Sequence, residues 1–318
     1  MPLKSHTLSL MGTDITLLID SEHADQLISD CVKRLHQYHH RFSANDVTSE
    51  LMAINRMAGI APVKVHPELL ELILLGQTHS LASPSQLNIA IGPLVDLWRI
   101  GFLDARIPQP TEIKETLKLI NPQHIYLNKN NQSVFLSQKK MGIDLGAVAK
   151  GYIADRIIDY LKSQAVTSAM INIGGNVLVY GPNPERFDHR WYIGIQNPSK
   201  KRGQAIGMLK IQDQSVVTSG VYERRLVHEG QTYHHILDSK TGYPIESEMI
   251  SLTIVSDTSV DGDIWTSRLF GLPLKQVIST LNATPEIEGL ILTKAQQVIL
   301  SEGLKQNYQS FYDSDLTR

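Results

Sequence analysis

This sequence of 318 residues is poor in cysteine, in long apolar runs and in charge of one sign. Its single cysteine, Cys31, excludes an intramolecular disulfide framework and any cysteine-rich zinc or iron–sulfur site. No stretch approaches the roughly 18 consecutive apolar residues of a membrane-spanning helix. Lys and Arg total 30 against 32 for Asp and Glu, and no basic run is interleaved with aromatic residues. We therefore expect neither membrane insertion nor nucleic-acid binding.

The N-terminal segment lacks the features of an export signal. The letters MPLKSHTLSLMGTDITLLID mix polar residues among the apolar ones and include no lipid-acceptor cysteine. Apolar residues make up 42% of the chain and charged residues 19%, a balance typical of globular proteins. The length allows one large domain or two fused subdomains. We expect a cytoplasmic enzyme or binding protein.

Helical and strand-like patterns both occur along the chain and predict a mixed fold. Apolar residues at helical spacing predict helices over 22–40, 49–55, 67–82, 94–101, 147–161 and 259–270. Strand-like segments occupy 7–19, 124–145 and most of the chain after 167. The regular alternation of a doubly wound parallel sheet is missing, so we predict an α+β fold with antiparallel sheets and packed helices. The pair Gly174-Gly175 is expected to form a bulge, and the tail 312–318 to fray.

The segment MGIDLGAVAKGYIADRI, at 141–157, is a first candidate for chemistry. An apolar strand ends at Asp144, Gly146 permits a tight turn, and a helix is predicted from Ala147. The free N–H groups of a helix start attract anions, and Lys150 adds a positive charge. The segment therefore suits a phosphate group, although a structural turn with a buried cap at Asp144 has the same pattern.

The segment VDGDIWTSRLF, at 260–270, is a second candidate. Asp263 and Ser267 are four residues apart, so a helix places both oxygens on one face. A carboxylate with a hydroxyl suits magnesium, which prefers hard oxygen ligands. Asp261 and Thr266 are rival oxygen donors, and a helix cap at the Asp is the structural alternative.

Histidines provide two further candidates. His235 follows a strand and precedes the turn Asp-Ser-Lys-Thr-Gly-Tyr-Pro, so it could act as a general base, because histidine titrates near neutral pH. Ordinary strand histidines with satisfied hydrogen bonds would look the same. His36 and His40 stand four apart on the first predicted helix, but no third metal ligand accompanies them, and we expect a solvated face.

Taken together, the order and spacing of these segments resemble the FAD:protein FMN transferase (ApbE) family. The resemblance covers about 10–275 and rests on a series of motifs. In order along the chain, these are MGT at 11–13, the FS…SEL…IN segment at 42–55, GPLVDLWRIGF at 92–102, DLGAVAKGYIADR at 144–156, NIGGNVLVYG at 172–181, WYIGIQNP at 191–198, TSGVYER at 218–224, HHILDSKTGYP at 234–244 and DGDIWTSRLF at 261–270.

The resemblance implies a fold, a reaction and a partner. It implies that 1–318 forms one flavin transferase domain built from two related T-fold-like subdomains fused into one unit. Members of the family use Mg²⁺ and FAD as substrate, and they transfer FMN through a phosphoester bond to a Thr or Ser hydroxyl of an acceptor flavoprotein, releasing AMP. An FAD pyrophosphate hydrolase and a non-catalytic flavin-binding protein remain the alternatives.

The resemblance also assigns roles to individual positions. FAD contacts are expected at Met11, Asp144, Lys150 and Ile236. Magnesium is expected on the backbone carbonyl of Ala147 and on the side chains of Asp263 and Ser267. His235 is the expected general base.

Two expected FAD-binding positions depart from the family pattern. Asn45 stands where the family usually has an aromatic residue that stacks on the flavin, and Asn88 stands where it has an Asp. Loss of an aromatic stack removes roughly 1–3 kcal/mol by analogy with nucleic-acid bases, which would weaken FAD binding without changing the chemistry.

Overall fold

A computed structural model of the chain describes residues 3–311, so the tail 312–318 that is expected to fray lies outside the described residues. The helices are α1 (Ala24–Phe42), α2 (Glu50–Arg56), α3 (Pro67–Leu81), α4 (Gly92–Trp98), α5 (Pro110–Leu117), α6 (Ala149–Ser163), α7 (Ser259–Leu269) and α8 (Leu274–Ala283). Within the described range, none of these helices has the combined length and apolar character needed to cross a bilayer.

Sixteen strands are formed by the described residues. They are β1 (Lys4–Leu10), β2 (Thr13–Asp20), β3 (Val63–Lys64), β4 (Ile125–Asn128), β5 (Ser133–Leu136), β6 (Ser168–Ile173), β7 (Asn176–Tyr180), β8 (Trp191–Gln196), β9 (Ala205–Ile211), β10 (Ser215–Gly220), β11 (Arg225–His228), β12 (Gln231–His234), β13 (Met249–Ser256), β14 (Ile287–Thr293), β15 (Val298–Leu300) and β16 (Tyr308–Ser310). Eight of them make one sheet in the order β1-β2-β6-β7-β10-β13-β14-β15. Every pair in it is antiparallel, which confirms the predicted α+β class.

The large sheet is buried on both faces. On β2, Ile15, Leu17 and Ile19 pack into the core that α1 and α6 cover. The intervening Leu18 joins a second core, beneath the three-stranded sheet β16-β9-β8. The alternation follows from the two-residue period of a strand, which sends successive side chains to opposite faces. The sheet is therefore a fixed platform with helices on one side and a smaller sheet on the other.

Both halves of the large sheet follow the same chain path. In the first half, the hairpin β1–β2 leads into helices and the chain returns as the hairpin β6–β7. In the second half, the pair β10–β13 leads into α7 and α8, and the chain returns as the hairpin β14–β15. The two four-strand units meet where β7 pairs with β10. This repeated path agrees with two related subdomains that share one sheet.

Three local predictions need correction. Gly174-Gly175 is the two-residue turn of the hairpin β6–β7 rather than a bulge, since Ile173 pairs directly with Asn176. The two glycines have φ angles of 60° and 104°, which suit a tight hairpin turn. The helix expected from Ala147 begins two residues later. The helices α5 and α8 were missed, because both are short and each begins at or just after a proline.

Candidate active site

The turn Met11-Gly12, which joins β1 to β2, lies at the edge of the candidate site. Both residues have positive φ, 57° and 71°. Met11 is a non-glycine residue in this sparsely populated region, and such strain is concentrated at functional sites. The turn Gly174-Gly175 lies beside it, because Gly174 N donates to Asp14 O over 3.1 Å. The two hairpins of the first half of the sheet thus present their turns side by side.

Asp263 lies buried on α7, and both of its carboxylate oxygens accept hydrogen bonds. Gly151 N donates to Oδ2 over 2.7 Å, and Asn176 Nδ2 donates to Oδ1 over 2.8 Å. Asn176 Oδ1 in turn accepts from Lys150 Nζ over 2.9 Å. Burial raises the pKa of Asp263, and the positive charge of Lys150 opposes this rise. A buried carboxylate in this setting is stabilised by any cation that binds beside it.

Ala147, in the turn before α6, lies beside Ser267 of α7. The Ser267 hydroxyl donates to the Ala147 carbonyl oxygen over 3.4 Å, which is long for an O–H···O hydrogen bond. The two oxygens are therefore neighbours that are only weakly engaged with each other. Sequence spacing predicts Ser267 on the same helix as Asp263, and the Ala147 carbonyl, which the resemblance implies as a ligand, lies beside Ser267.

The donor set of these three residues fits magnesium. A carbonyl, a hydroxyl and a carboxylate are all hard oxygen donors, and each Asp263 oxygen keeps a second lone pair for a metal. In the described part of the chain, no three His, Cys, Asp or Glu side chains cluster where they could hold a metal, and this donor set has a single carboxylate.

The rival donors Asp261 and Thr266 are engaged in the structure of α7 itself. Asp261 forms part of the N-terminal cap, since the Thr258 hydroxyl donates to its Oδ2 over 2.6 Å and Thr258 accepts from its N–H. The Thr266 hydroxyl donates back to the Asp263 carbonyl within the helix over 3.0 Å. Asp263 differs from Asp261 in being buried, with both oxygens held by groups outside its own helix.

His235 has one ring nitrogen held by the backbone. Its Nδ1 lies 3.2 Å from the Arg224 carbonyl oxygen, and its backbone N–H donates to that same oxygen over 3.2 Å. Because a carbonyl can only accept, Nδ1 carries the proton and Nε2 keeps its lone pair. Burial lowers the pKa of His235 to about 4, and the charges of Arg224 and Lys150 add to this effect. The imidazole is therefore neutral at neutral pH and can accept a proton on Nε2.

Asp144 and Lys150 flank the turn that leads into α6. Gly146 N donates to Asp144 Oδ1 over 2.7 Å, which closes the tight turn expected at Gly146. Burial raises the pKa of Asp144, while the charge of Arg224 lowers it. The start of α6 is expected to bind phosphate through its free N–H groups, but one of them, on Gly151, already donates to Asp263.

The remaining predicted FAD positions lie on three separate elements. Ile236 directly follows His235, and its carbonyl accepts from Ile245 N over 2.9 Å. Asn45 is exposed in the connection between α1 and α2. Asn88 caps a short 3₁₀-helix, since its Oδ1 accepts from Ala90 N over 2.8 Å and its Nδ2 donates to Ile120 O over 2.8 Å. Both polar atoms of the Asn88 side chain are thus occupied by the backbone.

Two polar residues of the site were not singled out from the sequence. Asn176 contacts both Lys150 and Asp263. Asp96 lies on α4, where burial raises its pKa and the negative charge of nearby Asp144 raises that pKa further. Both residues lie inside motifs that carry the family resemblance. The sequence feature that could have identified them is a single polar residue in an otherwise apolar segment, because a buried polar side chain needs a partner.

The histidines of α1 show no sign of a metal site. His36 and His40 are both exposed, and His40 Nδ1 lies 3.4 Å from Asp46 Oδ2. This agrees with the solvated face that the sequence favoured.

Sequence comparison links the chain to proteins of named activity. The model of the ApbE family matches residues 11–291. A FAD:protein FMN transferase of Klebsiella pneumoniae is 42% identical over 297 residues, which cover 93% of this chain and 91% of that protein. A protein of the same name from Treponema pallidum is 34% identical over 273 residues, covering 82% of this chain and 75% of that protein.

Structural comparison gives the same family. The crystal structure of the ApbE protein from Thermotoga maritima superposes with a TM-score of 0.88 at 25% identity, covering 97% of this chain and all of that one. The flavin transferase ApbE from Vibrio cholerae, at 24% identity, has the same fold, with a TM-score of 0.81 over 96% of this chain. The family model matches residues 11–291, from the first hairpin turn into β14. This chain therefore belongs to the ApbE family.

Proposed function

We propose that this chain is a magnesium-dependent FAD:protein FMN transferase, which moves FMN from FAD to a Thr or Ser hydroxyl of an acceptor flavoprotein. The observation that carries the proposal is the state of His235. The Arg224 carbonyl holds this histidine in the tautomer with a free Nε2, and its lowered pKa keeps it neutral. Such a group can take the proton of an attacking hydroxyl. Family membership supplies the substrate, because the relatives are named for FAD and FMN.

FAD binding is assigned to the first hairpin turn, to the turn and first residues of α6, and to the segment after β12. Met11, Asp144, Lys150 and Ile236 contact FAD in this proposal, and Asn45 and Asn88 lie at its periphery. The charge of Lys150 acts on the buried Asp263, and Asn176 contacts both side chains, so Lys150 is well placed to attract a phosphate group.

Magnesium would be held by the Ala147 carbonyl, the Ser267 hydroxyl and the Asp263 carboxylate. When bound, it would neutralise the negative charge of the pyrophosphate. Gly151 N and Asn176 Nδ2 fix the Asp263 carboxylate, so its orientation is set before any metal arrives.

The transfer itself requires one proton acceptor and a positive surrounding. His235 Nε2 takes the hydroxyl proton while the hydroxyl oxygen bonds to the FMN phosphorus. The bond from that phosphorus to the bridging oxygen breaks, and AMP leaves with the electron pair. Lys150 and the nearby Arg224 offset the charge that builds up on the phosphates.

The test is release of AMP by the purified chain with FAD, with and without an acceptor flavoprotein and with and without EDTA. A transferase releases AMP in a metal-dependent way that the acceptor stimulates. AMP and FMN formed equally without acceptor would indicate hydrolysis, for which the same metal and base would serve. Bound FAD without AMP would indicate a flavin-binding protein. The cytoplasmic location stays a prediction that cell fractionation would test.

A further inference from the structure

Arg224 lies in the bend between β10 and β11, at the centre of the candidate site. Its carbonyl oxygen holds His235, as described above. Its positive charge also acts on Asp144 and on His235, lowering the pKa of both groups. The side chain therefore lies close to Asp144, which the proposed function places against FAD, and to His235, which it makes the base.

Two glycines make room for the Arg224 side chain. Gly101 has a φ of 94°, and a Cβ added there would lie 2.9 Å from Arg224 Cδ and 3.2 Å from its Cγ. Gly12 has a φ of 71°, and a Cβ added there would lie 3.6 Å from Nη2. The side chain thus runs along Gly101 and ends beside the turn Met11-Gly12. Its path is defined by backbone at both ends.

The Arg224 guanidinium has no protein partner along this path. Within residues 3–311, it neither donates a hydrogen bond nor pairs with a carboxylate. Two arginines close to Gly101 in the sequence do have carboxylate partners. Arg99 pairs with Asp104 over 2.6 Å, and Arg106 pairs with Glu112 over 2.8 Å. Asp144 is near enough to feel the charge but does not contact it.

We propose that Arg224 binds the pyrophosphate of the dinucleotide substrate, a proposal that rests on the proposed function. A guanidinium offers a planar fork of donors that matches two phosphate oxygens, and it stays charged at every working pH. Arg224 reaches the pyrophosphate from the side of the first hairpin, and Lys150 reaches the site from α6. Because Gly12 and Gly101 carry no side chains, they leave room for the guanidinium to reach the phosphates.

The experiment measures equilibrium binding of FAD to the full chain by flavin fluorescence, without turnover. The variants are Arg224→Gln, Arg224→Lys and the control Arg225→Gln. Arg225 is the next residue and is also exposed, but it lines a cleft of about 610 Å³ between β8 and the large sheet, and no contact with Gly12 or Gly101 is seen for it among the described residues. We expect Arg224→Gln to weaken FAD binding roughly tenfold to a hundredfold, Arg224→Lys to lose less, and Arg225→Gln to match the unsubstituted chain.

Salt dependence separates a phosphate contact from a structural role. If the guanidinium contacts the pyrophosphate, Arg224→Gln also makes the Kd for FAD less sensitive to ionic strength. FAD binding by Arg224→Gln within about twofold of the unsubstituted chain would overturn the proposal. So would an unchanged salt dependence with a lowered Tm. A chain that binds FAD but never transfers FMN would refute the transferase and would not affect the proposal that Arg224 binds the pyrophosphate. A chain that does not bind FAD would refute both.

Discussion

At the scale of single residues, the surroundings of His235 decide its chemistry. A histidine with the ordinary pKa of about 6.5 would be partly protonated at neutral pH, and that fraction could not accept a proton. Burial and two nearby cations keep this one neutral, and a backbone carbonyl fixes its tautomer. The sequence could identify the histidine through its motif. It could not show the tautomer, because Arg224 stands eleven residues away.

Replacing His235 by Asn tests its role as the base. We expect transfer to fall by roughly 10²- to 10⁴-fold, because the acceptor hydroxyl loses its proton acceptor. The Kd for FAD should stay within about twofold, since the imidazole acts on the acceptor rather than on FAD. Single-turnover transfer and flavin fluorescence measure the two quantities. His228→Asn, on the exposed end of β11, is the matched control, and a fully active His235→Asn would refute the assignment.

The pH dependence of the reaction should reflect the lowered pKa of His235. The neutral imidazole is the active form, so activity is lost as the pH falls through the pKa of the folded state. That pKa is about 4 rather than the ordinary 6.5. We expect kcat/KM for FAD to remain high at pH 6 and to fall only in more acidic buffer. Half-loss of activity near pH 6.5 would show that His235 titrates normally or that another group is the base.

At the scale of elements, α6 and α7 cap each other. Asp155 of α6 accepts from Ser259 N over 2.7 Å and from Val260 N over 2.9 Å, in the first turn of α7. Asp263 of α7 accepts from Gly151 N in the first turn of α6. Each helix thus supplies a carboxylate to the positive end of the other. Sequence reasoning missed the exchange because the partners are 104 and 112 residues apart.

Removing one half of this exchange should weaken both stability and the metal site. We expect Asp155→Ala to lower the free energy of unfolding by about 1–3 kcal/mol, because two buried N–H groups lose their acceptor. Since α7 also carries Asp263 and Ser267, the apparent affinity for Mg²⁺ should fall as well. Urea denaturation and Mg²⁺ titration of activity measure the two effects. Asp159→Ala, which removes only an exposed ion pair with Arg156, should change neither, and equal effects of both variants would contradict this account.

Gly151 tests the close approach of the two helices. Alanine normally favours a helix over glycine, by up to about 1 kcal/mol. Here a Cβ would lie 2.3 Å from the Ser259 carbonyl oxygen, which is backbone and cannot move aside cheaply. We therefore expect Gly151→Ala to destabilise the chain by roughly 1–3 kcal/mol in thermal or urea unfolding. A stabilised variant would mean that α6 and α7 are further apart than described.

At the scale of the whole molecule, the sequence was most informative about class and motif. Alternating and helical patterns predicted an antiparallel α+β fold, and the structure confirms it. The strand order could not be predicted, because the junction between the two halves is the short pairing of β7 with β10, seen at Ser215 with Leu178 and Val216 with Val177. Local patterns carry no information about such a pairing.

The candidate site shows the same division. Asp263 and Ser267 could be placed on one helix face from their spacing, and the structure agrees. Lys150, Asn176 and Asp263 form a chain of contacts that joins α6, β7 and α7, and it depends on how the large sheet positions these elements. The assignment of FAD and Mg²⁺ to these residues remains a proposal.

The most direct test of the central claim is the intact mass of an acceptor flavoprotein after incubation with this chain, FAD and Mg²⁺, beside a control with EDTA. We predict a metal-dependent gain of one FMN phosphoester on a Thr or Ser of the acceptor, with AMP released and with little gain when His235→Asn replaces the unsubstituted chain. An acceptor of unchanged mass beside free FMN and AMP would contradict the transferase and make this chain an FAD hydrolase.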